Sequence, residues 1–329
     1  MTHIVVLDGR AINPGDLSWK SFEDFGEVQI YDRTSRVDVV PRIENAEIVL
    51  TNKAAFTKEI FDKLPKLRYL GVLATGFNVI DVEAAREKGI TVTNIPEYAS
   101  YATAQMTLAL LLEMTNHTAE HDLLVHAGSW TKCPDFCFWE SSLTELWNKT
   151  IGLVGYGQIG RRVAVIAQAL GMRVIVTSRS IETQISRGDI KSLTQGNDGI
   201  IFASFEDLLA QSDVISVHCP LTPDTLGLIC EKSISRMKNG VLLINTSRGP
   251  ILNEKDVADA LRSGKIGGAA VDVLSSEPPV AGNPLLEAPN CMITPHIAWA
   301  PRETRQRLLD TAYENLRAFL SGTPQNVVS

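Results

Sequence analysis

Residues able to move a proton and to hold a carboxylate recur at the ends of apolar segments in the second half of this 329-residue chain. Asn245-Thr246-Ser247-Arg248-Gly249 follows the apolar run Val241–Ile244. Asp272 closes the next run and Ser276-Glu277-Pro278 comes soon after it, while Thr294-Pro295-His296 follows the last. Histidine titrates near neutrality and can give or take a proton. A carboxylate beside a histidine favours the imidazolium, and an arginine fork can bind a substrate carboxylate and polarise a carbonyl. His296, Glu277 and Arg248 therefore carry the chemistry for reducing a 2-keto acid, given a hydride donor and a fold that brings them together. Taken singly, each has an ordinary reading: a satisfied core histidine, a solvated arginine, a solvated glutamate. Their shared place at strand ends makes the joint case.

The hydride donor has its own signal. Gly155-Tyr156-Gly157-Gln158-Ile159-Gly160 is G-x-G-x-x-G, preceded by the strand-like run Ile151–Val154 and followed by a helical pattern from Arg161 to Leu170. That context is what a dinucleotide fingerprint requires. Gly155 allows the tight turn, Gly157 lets backbone approach a pyrophosphate, and Gly160 lets the helix pack on the strand. The helix start at Gln158 and Ile159 offers free N–H groups to phosphate. The next strand ends in Thr177-Ser178-Arg179-Ser180, where an NAD site usually has a carboxylate for the ribose hydroxyls. Ser178, Arg179 and Ser180 in that place favour NADP(H), because an arginine can pair with a 2′-phosphate. Glu182 keeps NAD(H) open, and Arg179 also reads as a plain surface charge.

These residues must be positioned by alternating strands and helices, the mark of a parallel α/β sheet. Continuous apolar runs suggest strands at Ile4–Leu7, 48–50, 69–73 and 90–93, with helices at Lys58–Leu64 and Asp81–Lys88, the latter with Asp81 as N-cap. A long helix is expected over Ala102–Ala127, then a loop over Ser129–Trp139 that is rich in aromatic residues and suggests an interface. A second series of strands is expected at Ile151–Val154, Val174–Thr177, Val214–His218, Val241–Asn245, Gly268–Asp272 and Met292–Thr294. The last helix, Arg302–Leu320, follows that series and could return to the first domain.

Composition excludes more than it identifies. Lys and Arg number 31 against 38 Asp and Glu, a net charge of −7, which argues against binding nucleic acid or an anionic membrane surface. No apolar window approaches a membrane span. The N-terminus lacks the features of a signal peptide, and five cysteines without a repeated spacing suit free thiols, so the expected location is the cytoplasm. Cys133 and Cys137 find no further pair to complete a zinc site, and no metal is expected.

Together these motifs resemble the D-isomer-specific 2-hydroxyacid dehydrogenase family, over nearly the whole chain from Ile4 to Leu320. Within it the chain is most similar to glycerate dehydrogenases, also called hydroxypyruvate or glyoxylate reductases, on the run 71–79 and the segment Phe136–Trp139. The resemblance implies two Rossmann-like, doubly wound parallel-sheet α/β domains with an active-site cleft between them. A flavodoxin-like substrate domain would span residues 1–101 and 298–329, and a dinucleotide domain residues 102–297. The resemblance gives Arg248 the substrate, His296 the acid/base role and Glu277 the pairing with that histidine. It implies that N–H groups of Ala74, Thr75 and Gly76 bind the substrate carboxylate. It also implies that Asp272 meets the nicotinamide carboxamide and that Thr103, His218 and Thr246 line the cofactor. A homodimer through the cofactor domain is implied, with Trp139 a candidate to enter the partner's site, local packing being its alternative. Lactate-, phosphoglycerate- or longer-chain-specific relatives stay open, and so does a dinucleotide-sensing corepressor on the same fold.

Overall fold

The computed structural model describes residues 2–329. The chain divides into two units, Met1–Ala99 with Trp299–Ser329, and Ser100–Ala298.

The first unit is built on five parallel strands: β1 (His3–Val6), β2 (Glu27–Ile30), β3 (Ile48–Thr51), β4 (Tyr69–Val72) and β5 (Thr91–Thr93), in the order β2-β1-β3-β4-β5. Side chains alternate across a strand, and both faces here are apolar. Val5 and Leu7 enter one buried cluster with Val49, Leu70 and Val92, while Ile4 and Val6 enter the opposite one with Ile48, Leu50 and Tyr69. The helix Arg302–Leu320 supplies Leu308, Leu309, Ala312 and Leu316 to that second face. Asp81 caps the helix Val82–Glu87 by accepting the Ala84 N–H at 3.0 Å.

The second unit carries eight strands: β6 (Thr150–Val154), β7 (Arg173–Thr177), β8 (Thr194–Gln195), β9 (Ile201–Phe202), β10 (Val214–Val217), β11 (Val241–Asn245), β12 (Ile266–Val271) and β13 (Cys291–Ile293). Their order is β13-β12-β11-β10-β6-β7-β9-β8, parallel throughout except for the β8–β9 pair. The chain runs outward from β6 to β8 and then returns to lay β10 beside β6. That reversal opens a crevice at the carboxyl ends of β6 and β10, where such sheets bind ligands.

Two expectations needed correction. The long helix over Ala102–Ala127 is two helices, Ser100–Asn116 and Thr118–His126, broken at His117, whose φ is 49°. Glu113 explains the break: its carboxylate accepts the Ala119 N–H at 3.1 Å and the Thr118 hydroxyl, capping the start of the second helix. The segment Ser129–Trp139 opens with a short helical turn, Ser129–Lys132.

Candidate active site

The glycine loop after β6 is shaped for close approach. Gly155 has φ 107°, and a Cβ there would lie 2.6 Å from the carbonyl carbon of His218 and from the amide of Cys219. A Cβ on Gly160 would sit 2.3 Å from the Gly155 carbonyl oxygen, so only glycine lets the helix pack this tightly. Gly157 differs, because a Cβ there would meet nothing within 4 Å. It stands at the N-cap of the helix Gln158–Ala169, which has no side-chain cap and no acidic residue in its first turn. Gln158, Ile159 and Gly160 thus open a helix whose first N–H groups and positive dipole end are free for an anion.

His218 faces this loop from the end of β10. Its Nε2 is bonded to the Ser216 hydroxyl at 2.9 Å, while its buried Nδ1 has no hydrogen-bond partner among the described residues. Burial pushes its pKa down to about 4, so the ring is neutral at physiological pH. An unsatisfied buried nitrogen beside an open, uncapped helix start fits a bound dinucleotide. Thr103 and Thr246 are both buried, and Thr107 links them, its hydroxyl lying 2.9 Å from the Thr103 carbonyl and 3.0 Å from the Thr246 hydroxyl.

At the end of β7, Ser178 caps the helix Arg179–Arg187 by accepting the Ile181 N–H, and its hydroxyl lies 3.0 Å from that of Ser180. Arg179 and Ser180 are exposed. Glu182 is engaged elsewhere: its Oε1 accepts the Thr177 hydroxyl at 3.2 Å and the Phe205 N–H at 2.5 Å.

His296 and Glu277 are brought into direct contact, Nδ1 to Oε2 at 2.6 Å, with both side chains partly buried. Glu277 Oε1 accepts the Leu274 N–H at 3.1 Å, which orients its carboxylate. His296 itself has φ 54°, a left-handed conformation that costs a non-glycine residue about 1–2 kcal/mol. Asp272 is what holds it there. This buried carboxylate accepts the Thr294 hydroxyl at 2.6 Å and the Ile297 and Ala298 N–H groups at 2.9 Å each. Hydrogen bonds to a charged group contribute about 1.5–3 kcal/mol each, enough together to outweigh the strain. The bond between Thr294 and Asp272 was not foreseen from the sequence, since the partners stand 22 residues apart.

Arg248 sits on a loop tied at both ends. Asn245 donates its Nδ2 to the Arg248 carbonyl at 2.9 Å and accepts the Ser247 N–H at 3.0 Å, while Ser247 donates to the Cys219 carbonyl at 3.0 Å. The loop runs so close to the Glu277 segment that a Cβ on Gly249 would lie 2.0 Å from the Leu274 carbonyl carbon. The guanidinium is partly buried and donates to the Ser247 carbonyl at 2.7 Å.

Ala74, Thr75 and Gly76 belong to the first unit, in the loop after β4. The Ala74 carbonyl accepts the Ile95 N–H at 3.0 Å, and the Thr75 hydroxyl donates to the Ile95 carbonyl at 2.7 Å. The loop is therefore held by its oxygens. Among the described residues no group of three or more His, Cys, Asp or Glu could hold a metal ion, and no helix is long and apolar enough to cross a membrane.

Residues 108–298 match the family model described as D-isomer specific 2-hydroxyacid dehydrogenase, NAD binding domain. The chain is 49% identical over 329 residues to a hydroxypyruvate reductase of Blautia hydrogenotrophica, covering 99% of each chain. It is 36% identical over 328 residues to a glycerate dehydrogenase of Methylorubrum extorquens, covering 99% of this chain and 98% of that one. Among solved structures, an acyclic imino acid reductase in complex with NADPH and D-Arg superposes with a TM-score of 0.83 at 30% identity, covering all of both chains.

Proposed function

Because the chain belongs to the D-isomer-specific 2-hydroxyacid dehydrogenase family, we propose that it reduces a small 2-keto acid, hydroxypyruvate or glyoxylate, to the corresponding 2-hydroxy acid. The observation that carries this reading is the 2.6 Å contact between His296 and Glu277 on a loop clamped by Asp272. Gly155–Gly160, with His218, Thr103 and Thr246, would hold a nicotinamide dinucleotide, which would supply the hydride. Glu277 holds Nδ1 of His296, which leaves Nε2 to deliver the proton to the substrate oxygen and to recover it in the reverse direction. Arg248 binds the substrate carboxylate and polarises the carbonyl. In the first unit, the N–H groups of Ala74, Thr75 and Gly76 are donors suited to a substrate carboxylate. Asp272 shapes the histidine loop and would meet the nicotinamide carboxamide.

The cofactor reading favours NADP(H). Arg179 is exposed and free to pair with a 2′-phosphate, and Glu182 is committed to Thr177 and Phe205. The relatives named hydroxypyruvate reductase and glycerate dehydrogenase support the substrate class. A homodimer through the second unit is supported by the helix Thr118–His126, which buries none of its residues, and by exposed Trp130, Phe136, Trp139 and Trp147 close to it in sequence.

The test is a steady-state panel of hydroxypyruvate, glyoxylate, pyruvate and longer 2-keto acids with NADPH and NADH. The highest kcat/KM should fall on hydroxypyruvate or glyoxylate with NADPH. A long-chain keto acid in first place would overturn the substrate reading, and a large advantage for NADH would overturn the cofactor reading.

A further inference from the structure

The first unit has a second crevice. Its sheet runs outward from β1 to β2 and then returns to place β3 on the other side of β1, a topological switch point of the kind that binds ligands at strand carboxyl ends. A cavity of about 430 Å³ lies there, lined by the loops after β1, β2 and β3. It shares no residue with the loop Ala74–Gly76.

The walls of this cavity are fixed. Asp8 accepts the N–H groups of Asn52 at 2.8 Å and Lys53 at 2.6 Å, with Thr51 Oγ1 and the Ala54 N–H at 3.3 Å, which pins the β3 loop against the end of β1. Arg42 donates to the Arg33 carbonyl at 2.6 Å and to Thr34 Oγ1 at 2.7 Å, and its guanidinium lies 4.1 Å from the Tyr31 ring centroid. The N–H groups of Gly9 and Arg10 bond to the carbonyls of Tyr31 and Asp32, fastening the β1 loop to the β2 loop.

Three cations line the fixed walls: Arg10, Arg33 and Lys53. Arg10 reaches Asp32 only at 3.9 Å, with both side chains well exposed. Among the described residues, the charged ends of Arg33 and Lys53 have no ion-pair partner. Four uncharged donors hold the Asp8 carboxylate, and with Asp32 it sets two carboxylates against three cations, a formal excess of one positive charge in the lining. This local excess stands out in a chain whose net charge is −7. Two arginine forks and an ammonium suit an anion with several oxygens.

We propose that this crevice binds a small dianion, carrying either a phosphoryl group or two carboxylates. The proposal is independent of the reaction assigned above. Its test is calorimetric titration of the full chain, saturated with dinucleotide so that the Gly155–Gly160 loop is filled, with inorganic phosphate and separately with succinate. The same titrations are run on the double variant Arg33→Gln, Lys53→Gln and, as a control for binding beside the catalytic histidine, on Arg248→Gln. One site per chain is expected, its affinity falling at least tenfold in the double variant and unchanged in Arg248→Gln. Binding of phosphate alone identifies a phosphoryl ligand, of succinate alone a dicarboxylate, and of both a general dianion site. In the wild-type chain, phosphate or succinate should also move the ¹⁵N resonances of Arg10, Arg33 and Lys53, a readout that needs no variant. Absence of binding, binding that the double variant leaves unchanged, or unmoved resonances at these three residues overturns the proposal.

Discussion

His218 makes the second unit sensitive to acid. Its pKa is about 4 in the folded chain, against about 6.5 for a free histidine, because its ring is buried at the end of β10 and Nδ1 has no partner to share a second proton. As pH falls, the unfolded chain takes up the proton first. The stability this residue contributes is therefore complete above pH 6.5 and is lost progressively as pH drops towards 4. Each pH unit in that window is worth about 1.4 kcal/mol, so the full loss is about 3 kcal/mol, most of it by pH 4.5. The perturbation is His218→Asn, which keeps a polar group but cannot titrate. Native-state hydrogen exchange at the β10 amides, Val214 to Val217, reads the stability of that part of the unit. At pH 7 the variant should be the less stable, since it loses the fitted ring. By pH 4.5 the gap should close by about 2–3 kcal/mol, or reverse, as the wild type alone loses stability through this site. A gap that stays constant from pH 7 to pH 4.5 would refute the reasoning.

Other expectations follow from single contacts. Gly157→Ala should leave stability within about 0.5 kcal/mol, since a Cβ there meets nothing and the backbone is extended, yet it should weaken dinucleotide binding at least tenfold by filling the approach to the pyrophosphate. Thr294→Val removes one hydrogen bond to the Asp272 carboxylate; at about 1.5–3 kcal/mol this predicts a kcat fall of roughly 10- to 100-fold, with Thr294→Ser restoring most of it and dinucleotide affinity little changed, as kinetics and fluorescence titration would show. Burial pushes the Cys219 and Cys291 thiols up to about 11 from a reference of 9.0, so at pH 8 both should be alkylated roughly 100-fold more slowly than a free thiol, as followed by mass spectrometry.

Much of this organisation was legible because it rests on local patterns. Strands covered on both faces read as continuous apolar runs, so β1, β3, β4 and β6 stood out, and Asp81 announced its helix. β2 did not stand out: Glu27-Val28-Gln29-Ile30 is an edge strand with no fully buried residue, and its sequence carries no apolar run. The break at His117 was hidden for a different reason, since neither Gly nor Pro marks it and the cap comes from Glu113. The same limit applies at the site. The glycine loop could be read from spacing alone, and His296 and Glu277 from strand-end position. That Asp272 clamps the histidine loop, and that Glu182 is bonded to an amide 23 residues away, depends on pairings that only the folded chain reveals.

The first unit is assembled from two segments that flank the second unit in the sequence, and this orders its birth on the ribosome. When residue 298 has emerged, Ser100–Ala298 has every strand and helix of its core, whereas one face of the sheet β1–β5 still lacks Leu308, Leu309, Ala312 and Leu316. The last segment also brings Arg305, which forms a close ion pair with Asp16, and Asn315, which donates to the Asn94 carbonyl at 2.9 Å. The half synthesised first is thus the half completed last. A nonsense codon before Leu308 would leave Ser100–Ala298 whole and strip the cover from one face of the sheet β1–β5.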